Sequence, residues 1–299
     1  MPEQLPARGV CAVLVTYHPD GGLPDRLARL APQVDGVVVV DNGSPAADLA
    51  MVKGLTRNFA VTVIDNGGNL GIARALNVGV QHAAAHGFSS ALLVDQDSVV
   101  DEDMVAELMS ARNRFSDPSR LAIVGARFRD TSGRRVEAVR LGPQGDNWVE
   151  VATVITSGSL LSLGAYATIG PFREDFFIDY VDEEFCLRAR AAGYHIIETR
   201  RAIMSHSVGS QTSHRVGLAT RWTTNHSADR RYYIARNNTV LLREYGSSGR
   251  RSWRWKSITR CLRLCKRIAL FEDDKWSKIR AVGAGWWDGM RGNMGPRQR

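Results

Sequence analysis

The first 110 residues alternate short apolar segments with amphipathic ones, and this order restricts the chain to few folds. Four segments have the composition of buried strands and are separated by turns or helix-like segments: VCAVLVTY, VDGVVVVDNGS, VTVIDNGGNLG and ALLVDQDS. A repeated strand–helix–strand order favours a doubly wound, largely parallel sheet that binds ligands at the carboxyl ends of its strands. Acidic residues stand at those ends: Asp41, Asp65, Asp95 and Asp97. The sequence therefore predicts an α/β fold with a polar site along one edge of the sheet.

Two of these acidic residues are separated by a single residue. Asp95 and Asp97 follow an apolar run at 91–94, and residues i and i+2 of an extended chain point to the same side. Neighbouring carboxylates repel, so one of them would take up a proton unless a cation lay between them. The alternative is an acid-rich loop without a ligand, in which Ser98 or Asp101 caps the following helix.

The rest of the chain changes character twice. Residues 111–215 contain segments that predict antiparallel strands, followed by a helix: LAIVGARFRD, RVEAVRL, WVEVATVITSGSLLSL and DEEFCLRARAAGYH. From about residue 216 the chain is helical and basic, and GSSGRRS at 246–252 has the composition of a linker. We therefore place boundaries near residues 110 and 245.

The basic charge is confined to the C-terminal part of the chain. The net charge is +8, but residues 250–299 hold 14 Lys and Arg against 4 Asp and Glu, whereas the preceding residues hold 25 against 27. No apolar run approaches the roughly 18–20 residues of a membrane span. The N-terminus has no secretory signal pattern, and the four cysteines include no CxxC pair. We expect reduced thiols in a cytoplasmic protein.

The motifs that are missing narrow the chemistry. Neither a G-x-G-x-x-G fingerprint nor a G-x-x-x-x-G-K-[ST] loop is present, which disfavours NAD and P-loop chemistry. Asp41 could still hold a ribose. Mg²⁺ and Mn²⁺ are typically held by one or two carboxylates together with substrate phosphates. The pair Asp95 and Asp97 therefore favours a nucleoside diphosphate bound through Mg²⁺ or Mn²⁺.

Eight segments in order carry a family resemblance: VLVTYHP, VVVVDNGS, NGGNLGIARALNVG, LLVDQDS, TSGSLLSL, FFIDYVDEEFCLRARAAGY, MSHSVGS and RRYYIARNNTVLLREY. Together they resemble the inverting family 2 glycosyltransferases with the GT-A fold, and the rhamnosyltransferase branch in particular. The resemblance covers about residues 10–245. It implies a GT-A-type single domain with a mostly parallel, Rossmann-like sheet, plus a basic helical extension. Residues 1–110 would be the half that binds the nucleotide sugar, 111–245 the acceptor-binding and catalytic half, and 246–299 the extension.

The resemblance also implies roles for individual residues. The donor would be bound by Thr16, Asp41, Asn69, Arg74, Asn77, Asp95 and Arg236. The metal ion would be held by Asp95, Asp97 and His206, and the acceptor by Ser157, Gly158, Ser159 and Glu183. Ordinary structural roles are the alternatives. Asp41 could cap its own Asn-Gly turn, Arg74 could be a solvated helix charge, and Arg236 could form a surface ion pair.

The general base must be chosen from the three carboxylates of VDEE. On a helix starting near Asp182, this residue shares a face with three apolar residues, whereas Glu183 lies off that face: Phe185, Cys186 and Ala189. Glu184 stands four residues before Arg188 and predicts a surface ion pair. Asp182 also aligns with the family's catalytic aspartate, although Val181 stands where many relatives have Glu. The alternative role for Asp182 is an N-cap.

The implied reaction is a single displacement that transfers L-rhamnose from dTDP-β-L-rhamnose to a hydroxyl of a glycan or polyprenyl-linked glycan, with inversion. Such transfers build cell-surface polysaccharides such as O-antigen or cell-wall glycans. Another dTDP- or UDP-sugar donor is one alternative. A nucleotidyltransferase is another, although the turn TYHPDGGLPDR lacks the basic, glycine-rich loop that this class usually carries.

The basic segment that begins at Arg250 and ends at Arg267 has the pattern of a membrane-surface helix. It holds eight basic residues and no acidic one, and six residues recur at helical spacing as a stripe: Ile258, Cys261, Leu262, Cys265, Ile268 and Ala269. Such a helix suits the interface of a membrane. We expect peripheral association with the inner face of the cytoplasmic membrane. The alternative is that the stripe packs on the catalytic body. Nucleic acid is not expected as a partner, because the tail has no motif beyond its charge.

Overall fold

The computed structural model describes residues 8–130, 139–206, 212–216, 219–223, 225–246 and 249–297, with residues 8, 129–130, 205–206, 212–216, 219–223 and 249–253 described by their backbone alone. The strands are β1 Arg8–Thr16, β2 Gly36–Asp41, β3 Val61–Asp65, β4 Phe88–Asp95, β5 Ser98–Val100, β6 Leu121–Asp130, β7 Arg140–Gln144, β8 Trp148–Val151, β9 Ser159–Ser162, β10 His195–His206, β11 Thr212–Val216 and β12 Ala219–Thr223. The helices are α1 Leu23–Leu30, α2 Ala46–Gly54, α3 Ile72–Ala85, α4 Met104–Arg114, α5 Leu163–Ile169, α6 Val181–Ala191, α7 Ala228–Tyr245, α8 Gly249–Phe271 and α9 Lys275–Arg291.

The central sheet is mixed, and its first four strands are parallel. Its order is β3-β2-β1-β4-β9-β6-β10-β8-β7, with β5 pairing with β10. The predicted parallel half, β3 to β4, is confirmed. Strand β9 lies antiparallel between β4 and β6, whereas β6 and β10 are parallel to each other. Strands β2 and β4 are near-continuous apolar runs because both faces of a parallel sheet are buried.

The strand register brings the polar strand ends to one edge of the sheet. Thr16 of β1 pairs with Asp41 of β2, and Asp41 pairs with Asp65 of β3. On the other side of β1, Val15 pairs with Asp95 of β4. The expectation that these acidic residues share the carboxyl edge of the sheet is therefore confirmed.

The chain forms two compact units. One is Met1–Arg173 with Phe185–Ser207, and the other is Glu174–Glu184 with Val208–Arg299. These units do not follow the boundaries near residues 110 and 245, because the short segment 174–184 belongs with the C-terminal helices. The functional division at those boundaries stays a prediction.

The predicted C-terminal helices are present, and they are an integral part of the second unit. Helix α9 crosses α7 closely, since a Cβ atom on Gly285 would lie 2.2 Å from the backbone oxygen of Tyr232. The buried carboxylate of Glu272 forms ion pairs with Arg231 of α7 and Lys278 of α9. Breaking a buried ion pair is strongly destabilising. Because Glu272 directly follows α8, these contacts hold α7, α8 and α9 together.

The predicted apolar stripe of α8 is divided between two surfaces. Ile268 is fully buried with Ala235 of α7 and Val282 of α9, and Cys261 and Cys265 pack against this cluster. On the stripe's other side, Leu262 and Ala269 are exposed, as is Trp255. Part of the stripe therefore packs on the protein body, as in the alternative interpretation, and a separate apolar surface is left facing solvent.

Two further expectations can be compared with the structure. All four cysteines are free thiols, and burial raises the pKa of Cys11 to about 11 and of Cys261 to about 12. Across the described ranges, no helix combines the length and the apolar character needed to cross a membrane.

Two glycines of α9 provide a matched test of the α7–α9 crossing. We expect Gly285→Ala to lower the free energy of unfolding by about 1–3 kcal/mol, because its methyl group would overlap backbone atoms of α7. Gly283→Ala should raise it by up to about 1 kcal/mol, since a Cβ at this position meets nothing within 4 Å. Urea unfolding of both variants measures the difference. Equal free energies would show that α7 and α9 are not in close contact in solution.

Candidate active site

Asp41, predicted to bind the donor, is fully buried and supports a turn. Its carboxylate accepts hydrogen bonds from Thr16 Oγ1 (2.9 Å), from Ser44 Oγ (2.6 Å), and from the backbone N–H groups of Gly43 and Ser44. Thr16 is buried as well. The alternative role, capping the Asn-Gly turn, is therefore what the structure shows. Neither side chain is exposed to a nucleotide-sugar donor in this geometry. Both stabilise the backbone at the end of β2.

Asn42, which the sequence analysis did not single out, joins the loops that follow β2 and β3. Its side-chain oxygen accepts from Asn66 Nδ2 and from the backbone N–H of Leu70, and its Nδ2 donates to Asn69 Oδ1. The loops approach so closely that a Cβ on Gly43, at φ +92°, would lie 2.4 Å from backbone. The repeated Asn-Gly pairs were the available signal. Asn69 is exposed on this rim, as its predicted role requires.

Gln96, between the two aspartates, connects the ends of β1 and β4. Its Oε1 accepts from the backbone N–H of Tyr17 (2.8 Å), and its Nε2 donates to the Tyr17 carbonyl (2.9 Å). The Tyr17 ring is 44% exposed at the carboxyl edge of the sheet. Neither residue is predicted from the sequence, because nothing in the pattern distinguishes them from ordinary loop residues.

Asp95 and Asp97 are both partly exposed, but not through an extended i, i+2 arrangement. Strand β4 ends at Asp95, and Gln96 and Asp97 form a turn before β5. The expected extended geometry is therefore wrong. We term residues 95–97 the acidic turn. Ser157 stabilises it: its Oγ accepts a hydrogen bond from the Asp95 N–H (2.9 Å) and forms another with Ser98 Oγ (2.8 Å).

The residues predicted to bind the acceptor around position 158 form the turn before β9 and the first residue of that strand. Ser157 is buried under the acidic turn, and the Gly158 N–H donates to the carbonyl of Leu93 on β4. Ser159 is buried, and its hydroxyl donates to the Ile155 carbonyl. Their polar groups form hydrogen bonds within the protein beside β4 and β9, and their contact with the acceptor stays a prediction.

The acidic turn has the donor set that a divalent ion with phosphate ligands requires. Asp95 and Asp97 supply two carboxylates, and Mg²⁺ and Mn²⁺ are commonly held by such a pair plus phosphate oxygens. Among the side chains that the structure describes, no three His, Cys, Asp or Glu groups form a metal site. The side chain of His206 lies outside the described residues, but its backbone pairs with Ser98, next to Asp97 in the chain.

Two of the predicted donor residues lie on α3. Asn77 is buried, where it accepts from the hydroxyl of Tyr166 (2.8 Å) and the N–H of Phe172 (2.9 Å) and donates to the Phe172 carbonyl. It holds the chain rather than a ligand. Arg74 is exposed on the first turn of the helix.

In the second unit, the segment before α6 has an unusual backbone. Phe177, Asp179 and Tyr180 have φ of 63°, 65° and 65°, in the left-handed region that non-glycine residues rarely adopt. Such conformations persist only where the surroundings impose them, and they cluster at functional sites. This segment leads directly into Asp182.

Two buried side chains of α7 hold this strained segment. Asn237 Nδ2 lies within 2.9 Å of the carbonyl oxygens of Phe176, Ile178 and Asp179. Arg236 donates from Nη2 to the carbonyls of Asp175 (2.9 Å) and Phe176 (3.0 Å). Arg236 is only 1% exposed, so the alternative surface ion pair is wrong, and its contact with the donor stays a prediction. We term this arrangement the α7 clamp.

An acidic cleft of about 270 Å³ lies at the end of the strained segment. It is lined by Asp179, Tyr180, Asp182, Glu183 and Ile234. Burial, followed by the charge of Asp182, raises the pKa of Glu183. Asp179 is committed to an ion pair with Arg230. Asp182 and Glu183 are therefore the two carboxylates of the cleft that can face a substrate.

Glu184, the third carboxylate of VDEE, is not a surface group. It is fully buried, and Tyr245 donates a hydrogen bond to its Oε1 (2.9 Å), so the predicted surface ion pair is wrong. The predicted apolar face of α6 is confirmed, since its three members are fully buried: Phe185, Cys186 and Ala189. Asp182 is partly exposed and accepts from the Glu183 N–H (2.8 Å).

The α7 clamp predicts a specific loss of order. Asn237→Ala would remove the donor shared by three carbonyls, and we expect the free energy of unfolding to fall by about 2–3 kcal/mol. Backbone amides of 176–180 should exchange with solvent faster. Asn293→Ala is the matched control, because Asn293 is exposed and bonds only to Asp288 among described residues. Hydrogen exchange and urea unfolding measure both effects, and equal behaviour of the two variants would contradict the clamp.

Comparisons with known proteins give the family. Residues 11–158 match the model of Glycosyl transferase family 2. Over 251 residues the chain is 31% identical to the dTDP-rhamnosyl transferase RfbF of Shigella flexneri, covering 79% of this chain and 80% of that protein. The fold is similar to GalNAc-T7 with UDP, GalNAc and Mn²⁺ (TM-score 0.59, 12% identity, 95% of this chain and 56% of that one).

A second solved structure has the same degree of similarity. It is the mannosyltransferase PcManGT from Pyrobaculum calidifontis in complex with GDP-Man and Mn²⁺ (TM-score 0.59, 14% identity, 98% of this chain and 90% of that one). These structural matches establish the GT-A fold, and the match to RfbF extends over most of both sequences. This chain belongs to glycosyl transferase family 2 and is a glycosyltransferase.

Proposed function

We propose that the chain transfers L-rhamnose from dTDP-β-L-rhamnose to a hydroxyl group of a glycan or polyprenyl-linked glycan, in the synthesis of a cell-surface polysaccharide. The observation that carries the choice of donor is the 31% identity to the dTDP-rhamnosyl transferase RfbF over 251 residues. Another dTDP- or UDP-sugar is the alternative donor. Thermal shift with a panel of dTDP- and UDP-sugars, with and without Mn²⁺, separates the two.

Donor binding is assigned to the carboxyl edge of the first unit. Asp95 and Asp97, with His206, would hold Mg²⁺ or Mn²⁺ there, and such an ion neutralises the charge of a departing diphosphate. Two solved relatives in fold were crystallised with Mn²⁺. Ser157 and Gln96 keep the acidic turn in place through hydrogen bonds. The exposed ring of Tyr17 offers a face on which a nucleobase can stack.

The general base is assigned to Asp182. Glu184 is fully buried and does not line the cleft, and of the two carboxylates that can face a substrate, Asp182 is the one that aligns with the family's catalytic aspartate. Asp182 would take the proton from the acceptor hydroxyl. The hydroxyl oxygen then forms a bond to the anomeric carbon as the bond from that carbon to the dTDP oxygen breaks. Attack from the opposite face inverts the centre and gives an α-L-rhamnoside.

Two substitutions separate the base from the donor site. Asp182→Asn keeps the shape of the side chain but removes its basicity, and we expect release of dTDP from dTDP-rhamnose to slow by at least ~10²-fold. Its affinity for dTDP in Mn²⁺ should stay near that of the wild type. Asp97→Asn should weaken this affinity strongly, as should EDTA. Calorimetry with dTDP and an assay of dTDP release measure the two effects.

Glu183→Gln is the matched control for the base. It should keep most of its turnover. If Glu183→Gln stops turnover while Asp182→Asn turns over normally, Asp182 is not the base. Full activity of Asp97→Asn in EDTA would exclude a metal ion at the acidic turn.

We further propose that the exposed side of α8 lies on the inner face of the cytoplasmic membrane. Trp255 and Leu262 are 65% and 62% exposed and stand seven residues apart on one side of the helix, and basic residues flank them. Tryptophan beside lysine and arginine suits an anionic lipid surface. Each basic residue near such a surface contributes about 1 kcal/mol of favourable binding free energy. This surface differs from the stripe predicted from the sequence, which is half buried.

Vesicle sedimentation tests this proposal. The wild type should pellet with anionic vesicles, less so in high salt, and the double variant Trp255→Ser/Leu262→Ser should stay in solution. The control Leu141→Ser/Ile155→Ser removes two apolar side chains of the first unit, each 41% exposed, and should pellet like the wild type. Point variants are required because α9 packs on α7, so a truncation before α8 would disrupt the unit. Pelleting of the α8 variant would overturn the proposal.

A further inference from the structure

Beside the acidic cleft, the second unit contains a second cleft of about 260 Å³ that the reaction described above does not use. Three arginines from one side of α8 line it: Arg260, Arg263 and Arg267. The remaining lining comes mainly from α7 and α8: Ile234, Ala235, Asn238, Cys261 and Leu264, together with Tyr180. We term it the arginine cleft. Tyr180 and Ile234 line both clefts, so the two adjoin.

The three arginines are not neutralised by ion pairs with described residues. Their spacing of three and four residues places the guanidinium groups on one side of the helix, where they repel one another. Other cations lie in the same unit: burial lowers the pKa of His226 to about 3, and the charges of Arg267 of the cleft and of Arg230, Arg231 and Lys278 outside it add to this shift. A concave surface with this charge concentrates anions.

A buried donor in the cleft gives a second, independent indication of a ligand. Asn238 is 5% exposed, and its Nδ2 has no hydrogen-bond partner among the described residues. Burial raises the pKa of the nearby Tyr180 hydroxyl to about 12, and Asn238 lies close enough to oppose this rise, but its Nδ2 makes no hydrogen bond to that group of acceptable geometry. Buried donors are almost always satisfied. This amide therefore has a hydrogen to offer to a ligand in the arginine cleft.

We propose that the arginine cleft binds a phosphate or diphosphate group carried by the acceptor. Arginine forks match phosphate oxygens in geometry and charge, and Asn238 Nδ2 adds a neutral donor. The apolar contacts from Ile234 and Leu264 suit an aliphatic group next to the phosphate. Arg260 acts electrostatically on Glu183, so the bound anion lies beside the carboxylates of the acidic cleft. The proposal rests on the proposed transfer to an acceptor hydroxyl and specifies that the acceptor is anionic.

The test is calorimetry with inorganic pyrophosphate in EDTA, which removes any metal-bridged binding at Asp95 and Asp97. Wild type should bind, and Arg260→Gln/Arg263→Gln should weaken binding at least about tenfold, as loss of charged hydrogen bonds does. Asn238→Leu should weaken it less. Lys275→Gln/Arg280→Gln removes two exposed charges from α9 and should change the affinity less than about twofold. Thermal melting checks that each variant is folded.

Competition identifies where the anion comes from. Binding that persists in saturating dTDP supports an acceptor site, whereas displacement by dTDP would assign the cleft to the donor and overturn the proposal. Loss of vesicle binding by Arg260→Gln/Arg263→Gln, with unchanged pyrophosphate affinity, would assign these arginines to lipid headgroups and also overturn it. Absence of pyrophosphate binding by the wild type would do the same. None of these measurements requires turnover, so they fail or succeed independently of the choice of donor sugar.

Discussion

The backbone before Asp182 depends on hydrogen bonds that Arg236 and Asn237 donate to its carbonyl groups. Three residues between Phe176 and Val181 hold left-handed φ values, each of which costs about 1 kcal/mol or more. A segment of this kind keeps its shape only if donors on a rigid element fix its carbonyls. Helix α7 supplies them, and α9 supports α7 through a close helix crossing. The position of Asp182 therefore depends on the C-terminal helices of the same unit.

This dependence explains why buried polar residues recur in the family-like segments. Asp41, Asn77, Ser157 and Asn237 each satisfy backbone or hydroxyl groups in places where the chain makes a turn or a close approach. A buried N–H or carbonyl without a partner costs about 1–3 kcal/mol, so such turns require a particular polar side chain. A polar motif in this chain thus often marks a supporting position, one layer away from the groups that face a ligand.

The sequence predicted the parallel half of the sheet, its acidic edge, the helix of Asp182 and the helical C-terminal region. These features follow from periodicity and strand-end composition, which are local. The roles of Arg236, Asn77 and Ser157 could not be predicted in the same way, because a motif gives the residue type but not the direction of the side chain. The extended arrangement of Asp95 and Asp97 was wrong for a related reason: strand β4 ends at Asp95, and the chain turns at Gln96 and Asp97 instead of continuing as a strand. The second cleft had no sequence signal at all, since it forms only when α8 packs beside α7.

Helix α8 shows how one basic sequence serves three surfaces. One side is apolar and packs on α7 and α9 through Ile268 and Cys265, and a second exposes Trp255 and Leu262. A third presents Arg260, Arg263 and Arg267 to the arginine cleft. The net charge of a sequence does not show whether an arginine attracts a membrane or binds one phosphate group, because each arginine adds one positive charge in either case. The structure distinguishes the two cases by the concave shape of the arginine cleft and by the buried hydrogen-bond donor Asn238 Nδ2. A phosphate group in the cleft can reach this donor, whereas a flat lipid surface cannot.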